Sequence, residues 1–255
     1  MNVELCDKVN VLGVMFDSIS MSKLIVRIEE AIDNQRGVRL AFSNPEFLLE
    51  ANVNEALREY LNACTYNVPD GIGVLWVEWL KYGFSGRLKR VTGTDFTHCI
   101  LDLASRRGFS VFFLGGTAEV ANDVSVKLEA AYPMLEVLGV EHGYYDAAEE
   151  ARIVERILNC KPDILMVCKG NPMQEQWIAN NLPSDWGGVV LGNGGAMDFL
   201  SGRVARAPHM LRKFGLEWLF RLSQDFSRKR LRRQLRLLFV FPYLVMKFLV
   251  GGNAG

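Results

Sequence analysis

Apolar positions along the chain recur with two periods, and the alternation between them sets the expected architecture. Leu24, Ile25, Ile28 and Ile32 share one face at helical spacing across Ser20–Asn34, between strand-like runs at Val9–Phe16 and Val38–Ser43. From Phe109 onward, apolar runs of about five residues (Ser110–Leu114, Leu135–Val140, and those starting at Asp163 and Gly188) alternate with helix-like stretches such as Ala118–Ala131 and Ala147–Asn159. Strands covered by helices on both faces read as unbroken apolar runs, so the pattern predicts an α/β fold: a Rossmann-like parallel sheet with helices on both faces. Further helices are expected at Pro45–Ala51, Asn54–Ala63, Val74–Tyr82 and Thr94–Arg107. Between them Thr65–Gly73, broken by Pro69 and the glycines at 71 and 73, predicts a turn that displays Asp70.

After Ala207-Pro208 the pattern changes. Met210–Leu222 and Phe226–Phe241 are expected to be helical, and in the second Leu231, Leu235 and Leu238 lie opposite Lys229, Arg232, Arg233 and Arg236, which makes a basic amphipathic helix. Leu237–Val250 is strongly apolar, yet its 14 residues, interrupted by Pro242 and Lys247, fall short of the roughly 20 that span a bilayer. It is expected to lie on or dip into a membrane surface. The chain thus divides into an α/β domain over 1–207 and a C-terminal helical appendage, basic and amphipathic, over 208–255.

Charge sharpens that division. The net charge is zero, but the segment 203–236 carries 11 bases against two acids, while residues 1–202 carry 17 bases against 27 acids. An acidic body with a basic end suits anionic headgroups, nucleic acid or a pyrophosphate ligand. At 255 residues and 49% hydrophobic content the chain can bury a full core. Its five cysteines are scattered, odd in number and lack metal-ligand spacing, which predicts reduced thiols and no disulfide framework. No basic region followed by an apolar run opens the chain, so no export signal is expected.

Candidate chemistry centres on Asp163–Leu200, where two apolar runs each end in a small-residue turn, Gly170-Asn-Pro-Met-Gln-Glu and Gly192-Asn-Gly-Gly-Ala-Met-Asp, and lead into a helix. Strand ends that meet helix N-termini expose backbone N–H groups to an anion, so this stretch reads as a phosphate or nucleotide cradle. Gly115, Gly116 and Thr117 form another phosphate-compatible turn, without the full Gly-x-Gly-x-x-Gly fingerprint. Asp70 is a candidate general base, or simply a favoured turn residue beside glycine. Asn44 can reach a ligand or cap the helix after Pro45. Gln174, Glu175 and Asp198 can bond ribose or sugar hydroxyls, or match a helix dipole. His98, His142 and His209 share no spacing, and there is no zinc signature, nucleophile elbow or Walker loop. These residues leave open a nucleotide-dependent oxidoreductase using the Gly115 turn and a non-catalytic membrane or nucleic-acid binding module.

Six motifs in order, Ser43-Asn-Pro-Glu, Val68-Pro-Asp-Gly-Ile-Gly, Arg90-Val-Thr-Gly-Thr-Asp, Gly170-Asn-Pro-Met-Gln-Glu-Gln-Trp, Gly192-Asn-Gly-Gly-Ala-Met-Asp-Phe and Arg206-Ala-Pro with Gly215-Leu-Glu-Trp-Leu-Phe-Arg-Leu, together resemble the WecG/TagA/CpsF family of bacterial glycosyltransferases. The resemblance runs from about Val9 to Arg233. It implies inverting transfer of a sugar from a UDP-sugar donor to a polyprenyl-diphosphate-linked saccharide acceptor, with no cofactor and no obligatory metal. It also implies a peripheral enzyme at the cytoplasmic face of the bacterial inner membrane, engaged in cell-surface polysaccharide synthesis. Nucleic acid is not an expected partner, and a homo-oligomer is left open. By position, Asp70 matches the catalytic base and Asn44 an asparagine of the same pocket. Gln174, Asn193, Gly194, Gly195 and Asp198 fall in segments that resemble the nucleotide-sugar site, expected mainly within 109–202, and the phosphate-compatible turn Gly115–Thr117 is expected to join them in binding substrate. Arg206, Arg212, Arg221 and Arg228 match an appendage that closes over the site at the membrane. Two positions depart from the family pattern: Phe42, where a threonine is usual, and Cys168-Lys169 ahead of Gly170.

Overall fold

The computed structural model of the chain describes residues 7–84, 86–205, 208, 210–211, 220 and 228–251. The expected strand at Val9–Phe16 is instead a hairpin of β1 (Lys8–Val11) and β2 (Val14–Asp17). Leu12 and Gly13 take φ of 56° and 84°, the left-handed turn that matches strand twist, and the Asn10 side chain accepts from the Gly13 N–H at 2.9 Å. Apolar continuity hid the turn because Leu12 supplies one of its two centres.

The remaining strands, β3 (Val38–Ser43), β4 (Tyr66–Pro69), β5 (Ser110–Gly115), β6 (Glu136–Glu141), β7 (Ile164–Cys168) and β8 (Val189–Gly192), form one six-stranded parallel sheet in the order β4-β3-β8-β7-β5-β6. The expected α/β architecture is therefore observed. β4 lies where the sequence predicts only a turn; four fully buried residues ending in proline are too few to show a period, and partnership with β3 makes them a strand.

Against one face lie α1 (Met21–Asp33), α5 (Gly93–Arg107), α6 (Ala118–Ala131) and α9 (Ala196–Leu200), whose Leu24, Ile28, Phe96, Ile100, Val124 and Met197 pack on Leu40, Phe42, Phe113, Met166 and Leu191. α7 (Ala147–Cys160) and α8 (Met173–Asn181) cover the other face through Ile153, Ile157, Trp177 and Ile178. At the β3–β4 edge of the molecule, α2 (Pro45–Val53), α3 (Glu55–Ala63) and α4 (Ile72–Tyr82) enclose a cluster of their own with the β1–β2 hairpin. Caps fix many starts: Ser20, Asn44, Asn54, Thr92, Thr117 and Asp146 each accept a first-turn N–H.

The last helix, α10 (Arg228–Gly251), continues through Pro242, where the sequence predicts a break at Phe241. Proline removes one intrahelical bond, and docking offsets that loss. Val245 is buried in the α2–α4 cluster with Phe241, Phe248 and Leu249 packed beside it, Leu244 is buried as well, and Lys81 donates to the Phe248 and Leu249 carbonyls at 3.1 and 3.5 Å. The Leu237–Val250 stretch thus splits its faces, one set of side chains inward and another out to solvent. Among the described residues no helix is long and apolar enough to cross a membrane.

Candidate functional site

In a parallel sheet every strand ends on the same edge, and a crevice opens where neighbouring strands send their following helices to opposite faces. Here β8 leads to α9 on one face, while its neighbours β3 and β7 lead to α2 and α8 on the other. The crevice therefore flanks the end of β8, bordered by the loops after β3, β4 and β7.

Backbone bonds tie those loops into one belt. The Asp70 N–H donates to Ser43 O at 2.9 Å, and the Val91 N–H donates to Pro69 O at 3.0 Å, so the approach to α5 returns to the end of β4. Asn193 Nδ2 donates to Gly93 O and to Thr97 Oγ1, both at 2.9 Å, and the Asn193 N–H donates to Val167 O at 3.0 Å. Asp70, Asn44, the Thr92–Asp95 start of α5 and Asn193 thus share one rim. Strand registers set Asp70 beside Asn44 and Asn193 beside Phe42, so two strand spacings and two residue rises put their Cα atoms roughly 12 Å apart. Below Asp70 the rim is braced by buried polar groups: Ser43 Oγ donates to Asn67 Oδ1 at 2.7 Å, Asn67 Nδ2 donates to Met15 O, and the Asn67 N–H donates to Asp17 Oδ2 at 2.8 Å. Burial raises the Asp17 carboxyl above its usual range, with the Asn67 bond and Lys8 opposing.

Across β5, β7 and β8 the loops meet backbone to backbone. A Cβ on Gly115 would run into Cys168 O and one on Gly194 would lie 2.8 Å from Gly170 Cα, while one on Gly192 would meet the Glu175 side chain, with Oε1 at 2.6 Å. Glycine is the only residue that lets these turns close. Gln174 and Glu175 sit under that contact. Gln174 Oε1 accepts from the Gly170 N–H at 3.1 Å, its Nε2 donates to Glu175 Oε1 at 2.7 Å, and the buried Glu175 Oε2 has no partner. Burial pushes the Glu175 carboxyl up to about 7, against the Gln174 bond that lowers it.

The structure sorts the expected site residues by place. Asn44, Asp70, Asn193 and Gly194 border the crevice, with Gly195 next along the turn. Asn44 also caps α2, its Oδ1 accepting from the Glu46 and Phe47 N–H groups. Gln174 is buried with both amide ends engaged, so it supports the Gly170 turn from beneath. Gly115 and Gly116 form the next turn along the edge, and Thr117 caps α6 from an exposed position. Asp198 lies in the first turn of α9, and its carbonyl accepts from Ser201 Oγ. Arg206, Arg212 and Arg221 lie outside the described residues, and Arg228 is described only as the first backbone position of α10. Phe42 is buried against Phe96 with ring centroids 5.1 Å apart, and Lys169 donates to Tyr145 OH at 2.6 Å. Burial lowers the Lys169 ammonium and raises the Cys168 thiol to about 12, so Cys168 stays protonated and is no nucleophile. Among the described residues no group of three His, Cys, Asp or Glu is placed to hold a metal ion. The sequence marked the α5 start as a family motif and a helix without a site role, and Glu175 as a candidate sugar contact rather than a buried carboxyl. The Thr92-x-x-Asp95 cap was legible as a helix start; nothing marked the burial.

A crevice at the carboxyl edge of a parallel sheet, with a carboxylate on its rim and loops closed by glycine, is an arrangement suited to group transfer, and the chain is a glycosyltransferase. It belongs to the Glycosyl transferase WecG/TagA/CpsF family, which it matches over residues 9–254. Similar proteins include the N-acetylglucosaminyldiphosphoundecaprenol N-acetyl-beta-D-mannosaminyltransferases of Staphylococcus aureus strains MW2 and NCTC 8325 / PS 47. Each is 33% identical over 247 residues, covering 94% of this chain and 92% of the relative.

Proposed function

We propose that the chain moves a sugar from a UDP-sugar to a polyprenyl-diphosphate-linked saccharide, with inversion and without a metal, and that Asp70 is the general base. The hydrogen-bonded belt from Asp70 through Val91 and Gly93 to Asn193 carries this reading, because it puts a carboxylate and a helix N-terminus on one rim. The Asp70 carboxylate takes the proton of the acceptor hydroxyl as that oxygen bonds the anomeric carbon. The bond from that carbon to the β-phosphate oxygen breaks, and UDP leaves with the electron pair. Backbone N–H groups at the start of the 15-residue α5 and along the glycine turns stand where the leaving diphosphate gathers charge. Asn44, Gly115, Gly116, Thr117, Gln174, Asn193, Gly194, Gly195 and Asp198 hold or shape the donor site, and Arg206, Arg212, Arg221 and Arg228 supply cationic contacts from the appendage.

The names of the relatives favour an N-acetylmannosaminyl donor and an N-acetylglucosaminyl-diphospho-lipid acceptor for this chain as well. On this reading residues 208–255 hold the enzyme peripherally on the anionic cytoplasmic leaflet, and the acceptor stays in the bilayer. The test is a screen of UDP-sugars against a short-chain prenyl-diphosphate N-acetylglucosamine, with and without EDTA, in native chain and Asp70→Asn. Native turnover that survives EDTA and collapses in the variant supports the proposal. Equal turnover in both chains overturns the base, and full EDTA inhibition overturns the metal-free chemistry.

A further inference from the structure

α4 buries Val74, Leu75, Val77 and Glu78, yet Trp76, Leu80 and Phe84 are 54%, 65% and 90% exposed. Trp76 and Leu80 lie one turn apart on the same side of the helix, and Phe84, which follows the helix end at Gly83, sets its ring beside Trp79 with centroids 5.7 Å apart. Large side chains standing out together on one helix face mark an interaction surface.

What covers the stripe follows from its surroundings. Residues 79–94 contain Lys81, Arg87, Lys89 and Arg90 and no acid, and Arg87 and Lys89 are exposed. Lys81 joins α4 to α10 through the Phe248 and Leu249 carbonyls and lies 5.0 Å above the Phe248 ring. Beyond that seam α10 presents its own outward stripe of Phe239, Tyr243, Met246 and Val250. Exposed aromatics among bases, with no acids to complete a salt-bridged protein interface, match the boundary between anionic headgroups and acyl chains. We propose that the Trp76–Leu80–Phe84 stripe is a second membrane-docking face, beside the appendage and built into the catalytic domain. α4 begins at Ile72, immediately after Asp70-Gly71, so this face sets the height of the Asp70 loop above the lipid.

The inference rests on the lipid-linked acceptor proposed above, and its test separates the two. The full-length chain carrying Trp76→Gln, Leu80→Gln and Phe84→Gln, and a second variant carrying Phe84→Gln alone, are compared with the native chain in sedimentation with phosphatidylglycerol–phosphatidylcholine vesicles. Thermal melts monitor folding, and activity is read on a water-soluble short-chain acceptor and on a long-chain acceptor in vesicles. The triple variant is expected to bind vesicles about tenfold or more weakly, the single variant less so. Activity should fall on the vesicle acceptor and hold on the soluble one. Native vesicle affinity in both variants overturns the docking face. So does loss of a concentration-dependent dimer with vesicle binding intact, which would assign the stripe to a second copy of the chain. Failure of the native chain on both acceptors would instead count against the proposed reaction, leaving the vesicle measurement to decide the face.

Discussion

Glu175 offers a measurement whose size follows from its surroundings. The residue is 2% exposed, one carboxyl oxygen accepts from Gln174, the other has no hydrogen-bond partner, and burial raises the pKa from 4.5 to about 7. A raised acid favours the protonated form in the fold, so its stabilising effect is complete below the unfolded value of 4.5 and is lost as pH rises toward 7. At about 1.4 kcal/mol per tenfold change, that rise corresponds to roughly 3 kcal/mol, most of which falls between pH 5 and pH 8. Glu175→Gln removes the titration. It also places an amide N–H₂ where the orphaned oxygen was, at a cost of about 1–3 kcal/mol that is the same at both pH values. Urea unfolding of native chain and variant at about pH 5 and pH 8 should therefore show the variant gaining roughly 2–3 kcal/mol on the native chain between them, whatever its absolute stability. A stability difference that stays constant between the two pH values would mean that Glu175 is ionised in the fold, and the account of the loop support would fall.

Other consequences can be checked in the same chain. Asp70→Asn should lower kcat by about 10²–10⁴-fold with an unchanged melt, as loss of a general base does, and a mere rise in KM would make Asp70 a binding group. Gly194→Ala must displace Gly170, whose Cα lies 2.8 Å from the new Cβ, so it should destabilise by about 1–3 kcal/mol and raise the donor KM, read by denaturant melts and steady-state kinetics. Asn67→Ala leaves the Asp17 carboxylate in place and strips the Ser43 and Met15 contacts, which should cost about 1–3 kcal/mol in urea unfolding and loosen hydrogen exchange at Asp70. Deleting residues from 208 onward should weaken vesicle sedimentation, leaving what the α4 face alone supports, and bare the α2–α4 surface that Val245, Phe241 and Phe248 cover, so the shortened chain should bind a hydrophobic dye more strongly than the whole one.

The parallel sheet was legible because five of its six strands are apolar runs with helices between them, a period strong enough to survive local exceptions. The exceptions are places where long-range contact overrode local pattern. β4 is a strand only because β3 pairs with it, the first hairpin turns at a leucine, and α10 runs through Pro242 because its inner face is docked. Asp70 and Asn44 could be placed on a rim from strand-end position alone. Gln174 could not be told from a ligand-contacting amide, since its burial depends on how closely the Gly170 and Gly192 turns approach. The α4 stripe escaped notice for a related reason: Trp76 and Leu80 look like core residues until the structure shows which side of the helix is covered.

The glycine contacts of the cradle also limit how this enzyme can change. Where Gly115 meets Cys168 and Gly194 meets Gly170, the floor of the crevice is main chain, and no substitution can place a new functional group there without parting the turns. New side-chain chemistry in the crevice must therefore come from its walls, at Asn44, Asp70 and Thr92–Asp95, where an exchange leaves those turns closed.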